Sequence, residues 1–441
     1  MLFVIYTLLK TCCMKKELFA SILIVAMTLG TAWAVRGHFG HEQGAAWAGA
    51  IGALALILAS RRKEWYKKML VITLSSAFGW GITGMISYGI VVGYGRSDNL
   101  PNAFYGYLML FVIGGLFGLL GGGMTGLSLE SSRTNKVKWA ALLSQMVIGG
   151  LIVYGFLINQ LGWLMTPPRN ENWAICLGAA LSMFWYMRRN NFTSSFRVSI
   201  ITGIGSGFGF AFGNFLQTVG TVYEIQFNMW NVMEYSIGFF GGMALAYSVF
   251  TSKWPDKIIV PEPWKNIVAF LVLFVFIPLV VFQQSLQFNN FVEKLSSLND
   301  PEHVVSVSKI SSIASLFVII SSALMSWINI KKSKFIFERK NVMLLFMLLF
   351  SSYIALGYII NGIFHENVQL NIHLYVLNLI IILFLLIKIK LPIPEISIKD
   401  LNSRKISFIV IAIILVIFFI ALISTSIHDG IPGAHDRFTI P

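Results

Sequence analysis

Residues 14–62 read MKKELFASILIVAMTLGTAWAVRGHFGHEQGAAWAGAIGALALILASRR. Two apolar runs, each close to the roughly 20 residues that cross about 30 Å of hydrocarbon, flank a turn dense in titratable groups. Lys15 and Lys16 precede the first run, and Arg61 and Arg62 follow the second. Because basic residues accumulate on the cytoplasmic side of a membrane, this stretch predicts an out-and-back helical hairpin with both ends inside. Every later apolar run can be registered against it.

Extending outward, the expected spans number about thirteen, at 17–36, 45–60, 69–93, 104–128, 139–164, 173–187, 198–220, 232–251, 266–283, 311–330, 342–363, 372–389 and 406–425. Composition agrees: of 441 residues, 56% are hydrophobic and 12% charged, too few polar side chains to cover a water-soluble surface of that size. The formal charge of +14 sits in short clusters between apolar runs rather than along one solvated face, which argues against a nucleic-acid partner. With the N-terminus cytoplasmic, only Arg36, Arg96, Arg169, Lys294, Lys309 and Arg437 of the 33 basic residues fall outside. The expectation is an all-α, polytopic, multi-pass protein of the bacterial inner membrane, in contact with the lipid bilayer and ending in a periplasmic tail.

Glycine divides the chain. All but Gly357, Gly362, Gly430 and Gly433 of the 38 glycines precede Thr251, and glycine lets membrane helices approach closely or unwind beside a cavity. The expected division is a cytoplasmic segment 1–16, a glycine-rich core 17–251 of eight helices, a linker 252–265, a glycine-poor second bundle 266–425 and a tail 426–441. Within the core, Thr28–Ala34 (TLGTAWA) matches Thr73–Gly79 (TLSSAFG), with a weaker echo at Gly205–Gly209. These matches suggest four parallel hairpins, of which helices 5 and 6 are the most diverged. Met14 offers an alternative start to Met1. Residues 14–34 also resemble a signal peptide ending in an A-x-A-like site, although the repeat argues that the segment is retained.

Ionisable groups at membrane depth are costly and point to function. The densest set is Arg36, His38, His41 and Glu42, whose spacing puts the two histidines and the carboxylate on one face if the segment is helical. A carboxylate beside a histidine can stabilise its charged form near neutral pH, which suits proton coupling; an ordinary polar turn would also account for the composition. Asn214, Gln217, Asn231 and Glu234 lie near the ends of helices 7 and 8, and Trp47 and Trp230 head a crowd of aromatics that fits an interfacial belt or a substrate vestibule. Glu224, Asn361, His365 and Glu366 form a secondary set. Cys12, Cys13 and Cys176 make neither a disulfide framework nor a zinc set. The absence of an H-E-x-x-H spacing, a phosphate loop and a nucleophile elbow leaves no metal or cofactor expected.

These features predict a secondary active transporter of a small polar substrate such as a sugar or sugar acid, with proton coupling through the His-Glu cluster. The alternative is a membrane-embedded transferase acting on a glycan or lipid, with His41 as general base oriented by Glu42.

Overall fold

The computed structural model describes residues 2–39, 41–256, 259–296, 300–364, 368–389 and 403–439, and among them every regular element is a helix. Ten helices of the described residues are long and apolar enough to cross a membrane. The chain is therefore a multi-pass membrane protein.

The helices are α1 (Leu2–Arg36), α2 (His41–Ser60), α3 (Met69–Thr83), α4 (Gly89–Gly95), α5 (Leu100–Glu130), α6 (Trp139–Gln160), α7 (Trp173–Arg189), α8 (Thr193–Val222), α9 (Met229–Phe250), α10 (Pro263–Lys294), α11 (Pro301–Lys332), α12 (Arg339–Ile360), α13 (Leu370–Lys388) and α14 (Ser403–Ser426). Of these, α3, α4, α7 and α9 are not among the ten. The run expected to form one span over 69–93 is instead two helices separated by a break at 84–88. The span expected over 266–283 extends from Pro263 to Lys294, loosening into wide π-type turns on either side of Pro278, where the missing amide N–H interrupts the ladder.

Six helices close a ring in which α1 packs on α2, α2 on α3, α3 on α5, α5 on α8, α8 on α9, and α9 back on α1. Glycine sits in every seam. A Cβ at Gly52 would press on Leu29, at Gly49 on Trp80, at Gly79 on the Leu120 carbonyl, at Gly118 on Thr202, at Gly209 on the Ser236 carbonyl and at Gly238 on the Leu29 carbonyl. Glycine thus faces backbone in four of the seams and a large side chain, Leu29 or Trp80, in the other two, the close approach that small residues permit where lipid supplies no hydrophobic drive for association. Trp33, Trp80, Phe117 and Phe210, one each from α1, α3, α5 and α8, are fully buried and fill the ring. Trp33 meets Trp80 and Phe117 at 5.1 and 5.5 Å between centroids, and Phe117 meets Phe210 at 6.0 Å, within the range for favourable ring pairs.

The other helices surround this ring. The α6–α7 hairpin leans on α5, while α10, α12 and α13 pack on the α1–α3 side and α11 packs outside them on α10 and α12. The sequence groups α14 with α10–α13, but its principal neighbours are α5 and α8. Apart from α7, these helices are all apolar enough to cross a membrane, so composition carries no information about which side of the ring each one covers.

The turns at one end are tied together. Lys68 Nζ donates to the carbonyls of Ser128, Leu129 and Ser131, capping the C-terminus of α5. Asn135 donates to the Asn190 carbonyl, Ser194 to that of Lys253, and Trp65 meets Trp254 edge-on.

Candidate functional site

At the opposite end of the ring, α1 stops at Arg36, residues 37–39 turn, and α2 begins at His41. A cavity of about 520 Å³ opens there, lined by Gly37, His38, His41, Glu42, the break from Gly84 to Gly89, Arg169, Asn170, Asn228, Trp230, Asn231 and Glu234. Two features of the backbone shape it. A Cβ at Gly84 would collide with the Cα of Glu42 and the carbonyl of His41, so the break in α3–α4 can lie directly against the start of α2. Asn228 caps α9 by accepting from the Asn231 amide. The N-termini of α2 and α9, with their positive dipole ends, therefore both face the cavity.

Its floor is a buried ion pair. Arg36 Nη2 donates to both oxygens of Glu234, at 3.0 and 2.8 Å, and to Tyr88 Oη at 2.8 Å; the tyrosine hydroxyl donates in turn to Glu234 at 2.6 Å. Arg36 is 1% exposed and Glu234 5%. The guanidinium also lies 4.8 Å from the centroid of Trp33, a favourable cation–π distance that joins the pair to the aromatic plug beneath it. Nη1 points elsewhere, to the ring nitrogen Nδ1 of His41 at 3.3 Å. One edge of Arg36 is thus committed to Glu234 while the other faces a titratable group on the cavity wall.

The walls come from three directions. Buried Glu171 accepts from the amides of Met165 and Thr166 and from the indole of Trp173, folding the α6–α7 loop so that Arg169 and Asn170 reach the rim. Asn231 donates to the Ala34 carbonyl at 3.0 Å and accepts from Tyr375 of α13, whose hydroxyl also lies 3.5 Å from His38 Nε2. Burial first, and Lys294 second, push the His38 imidazole down to about 4, so this histidine is neutral across the physiological range. Glu42 is exposed at the mouth.

No family model, curated protein or solved structure matches the chain. The site's chemistry has to be read from its own geometry.

Of the residues singled out in the sequence, His38, His41, Glu42, Trp230, Asn231 and Glu234 line this one cavity, and Arg36 lies buried beneath it, bonded to His41 and Glu234. The others lie elsewhere. Trp47 stacks on Tyr353 of α12 at 4.6 Å and donates to the Leu349 carbonyl, fastening α12 to the ring. Asn214 and Gln217 are buried in α8, where Asn214 donates to the Val92 carbonyl. Glu224 follows α8 with φ 49°, and Asn361 caps α12 on the Gly357 carbonyl. His365 and Glu366 lie outside the described residues. Tyr88, Arg169, Asn170 and Asn228 were not singled out as site residues; the one hint was the cluster Gly84, Ser87, Tyr88 and Gly89 interrupting an apolar run, which fits a broken helix beside a cavity.

The C-terminal segment lies at the same end. The His435 amide donates to the Gly93 carbonyl at 3.0 Å, Arg96 to that of Pro432 at 3.2 Å and Ser97 to Asp436 at 2.6 Å, while Asn102 accepts from the amides of Arg437 and Phe438. Arg96 in turn lies over the ring of Trp230, 5.4 Å from its centroid.

Proposed function

We propose that the chain is a secondary transporter that binds a small polar, acidic metabolite, such as a sugar acid, above the Arg36–Glu234 pair and couples its passage to protons through His41 and Glu42. The observation that carries this reading is the division of labour on Arg36. Nη2 is held by Glu234 and Tyr88, whereas Nη1 has only the 3.3 Å contact with His41, so Nη1 is the edge for which an incoming carboxylate or hydroxyl competes. An anion arriving beside His41 favours the protonated imidazole, and substrate and proton then bind each other's sites more tightly. Arg169, Asn170 and the N-termini of α2 and α9 supply further groups suited to an acidic or polyhydroxylated ligand. The aromatic plug closes the ring below, as expected of a state open to one side.

On this reading the chain crosses the bacterial inner membrane thirteen times with its N-terminus in the cytoplasm. Support comes from the positions of the cavity and the 61–68 basic turn at opposite ends of the ring, the basic turn being at the end that the positive-inside bias assigns to the cytoplasm. Three hairpins, α1–α2, α3–α5 and α8–α9, supply the ring, which favours a repeated unit with α6–α7 as the displaced copy.

One observation favours a second reading. Glycine-locked seams on all sides make a rigid ring, and a rigid pocket with His41 and Tyr88 at its wall suits a membrane-embedded transferase. Uptake of labelled sugar acids into proteoliposomes, with and without a proton gradient and alongside product analysis, separates the two. Gradient-stimulated uptake of unmodified compound supports transport. Chemical conversion without accumulation would overturn it.

A further inference from the structure

A second pocket lies at the other end of the molecule, between the turn joining α2 to α3 and the turn joining α11 to α12, with a volume of about 630 Å³. Five cations line it: Arg61, Lys63 and Lys67 from the first turn, Arg339 and Lys340 from the second. Among the residues lining it, Glu338 is the only carboxylate and lies 3.1 Å from Lys340, while Glu17 of α1 also favours the charged form of Arg61. Arg61 and Arg339 face each other across the seam, and after burial it is Arg339 that most lowers the proton affinity of Arg61. Arg61 is held at φ 54°, a conformation that side chains other than glycine rarely adopt. Arg339 donates to the Leu386 carbonyl at 2.6 Å, but its Nε is buried with no hydrogen-bond partner among the described residues. Beside these cations Ile336 is 70% exposed and Phe337 is buried.

Five cations against one carboxylate in the lining make the pocket attractive to an anion. The flanking apolar surface and the ends of α2 and α12 place that anion at the level of membrane headgroups, where basic pockets between helices hold acidic lipids. We infer that this pocket binds the phosphate of an anionic phospholipid between Arg61 and Arg339, with its chains along Ile336, so that the lipid joins the ring to the surrounding helices. The inference stands apart from any reading of the Arg36 cavity.

The test is thermal unfolding of the delipidated protein in a neutral detergent, with added phosphatidylglycerol, phosphatidylcholine or inorganic phosphate at equal concentration. Phosphatidylglycerol should raise the melting temperature by about 3 °C or more, and the other two should not. The shift should vanish in the Arg61→Gln/Arg339→Gln variant. Should that variant fail to fold, Lys63→Gln/Lys67→Gln, which alters only exposed side chains, should at least halve the shift. An equal phosphatidylglycerol shift in wild type and variants overturns the site, and an equal shift from inorganic phosphate overturns its assignment to a lipid.

Discussion

Arg36 and Glu234 are both sealed from water, so each charge depends on the other for compensation. Glu234→Gln keeps the shape of the side chain but leaves a guanidinium charged and sealed from water, which should cost about 3–5 kcal/mol. Replacing both partners with methionine removes the charge as well as its partner and should recover most of that loss while abolishing ligand binding. Melting curves of the two single variants and the double variant check this; a double variant no more stable than either single one would show that the pair's shape, rather than its charge balance, holds the floor together. His38 makes an independent prediction. Its folded value of about 4 lies below the unfolded value of about 6.5, so the unfolded chain takes up more protons between those limits. Stability should therefore fall as pH drops from about 6.5 towards 4, and His38→Asn should flatten that part of the profile.

Glu42 tests the coupling itself. It sits exposed at the mouth, where a charge that merely decorates a turn contributes little. If it carries protons, Glu42→Gln should abolish gradient-driven accumulation and leave substrate exchange intact; if uptake and its pH dependence are unchanged in both Glu42→Gln and His41→Ala, the proton role is wrong.

At the scale of elements, the α1–α2 hairpin was legible because its charges, glycines and apolar lengths lie within one short stretch. That Trp230, Asn231 and Glu234 lie together at the mouth of a glycine-rich helix was legible as well, because they are close in sequence. The α3–α4 break was only hinted at by Gly84, Ser87 and Gly89: hydropathy averages over the residues that interrupt the helix, and the reason for the interruption, Gly84 lying against Glu42, is a contact between distant segments. The packing of Trp47 on Tyr353 was not legible for a related reason. An aromatic residue beside a charged turn has the same composition whether it faces a ligand or Tyr353. The C-terminal segment holds α4 and Arg96 in place, and Arg96 holds Trp230. Ending the chain at Ser426 should therefore leave a folded protein whose affinity for its ligand falls several-fold, measured by equilibrium binding. Unchanged affinity would confine the segment to a structural role.

At the scale of the molecule, all six ring helices come from the glycine-rich part of the sequence, but that part also supplies the α6–α7 hairpin outside the ring. Gly122→Leu would drive a side chain into Thr202, as a Cβ alone already comes within 2.6 Å, and should cost several kcal/mol through overpacking (about 1–3 or more). Leu383→Ala, at a half-buried position on α13, should cost less. Detergent melting of the two variants gives the comparison, and equal losses would count against a division into working core and support.

The seam between α9 and α1 has a consequence for biosynthesis. It joins the first helix of the chain to the ninth, and Arg36 and Glu234 are 198 residues apart in sequence. A ribosome that has inserted α1 to α8 has made an open crescent, with an arginine at its free edge and no counter-charge yet synthesised. Glu234 then arrives on the helix that closes the circle, so the ion pair that floors the pocket also acts as the clasp of the ring. A nascent chain arrested before α9 should remain a substrate for membrane quality control, and one released just beyond Phe250 should escape it.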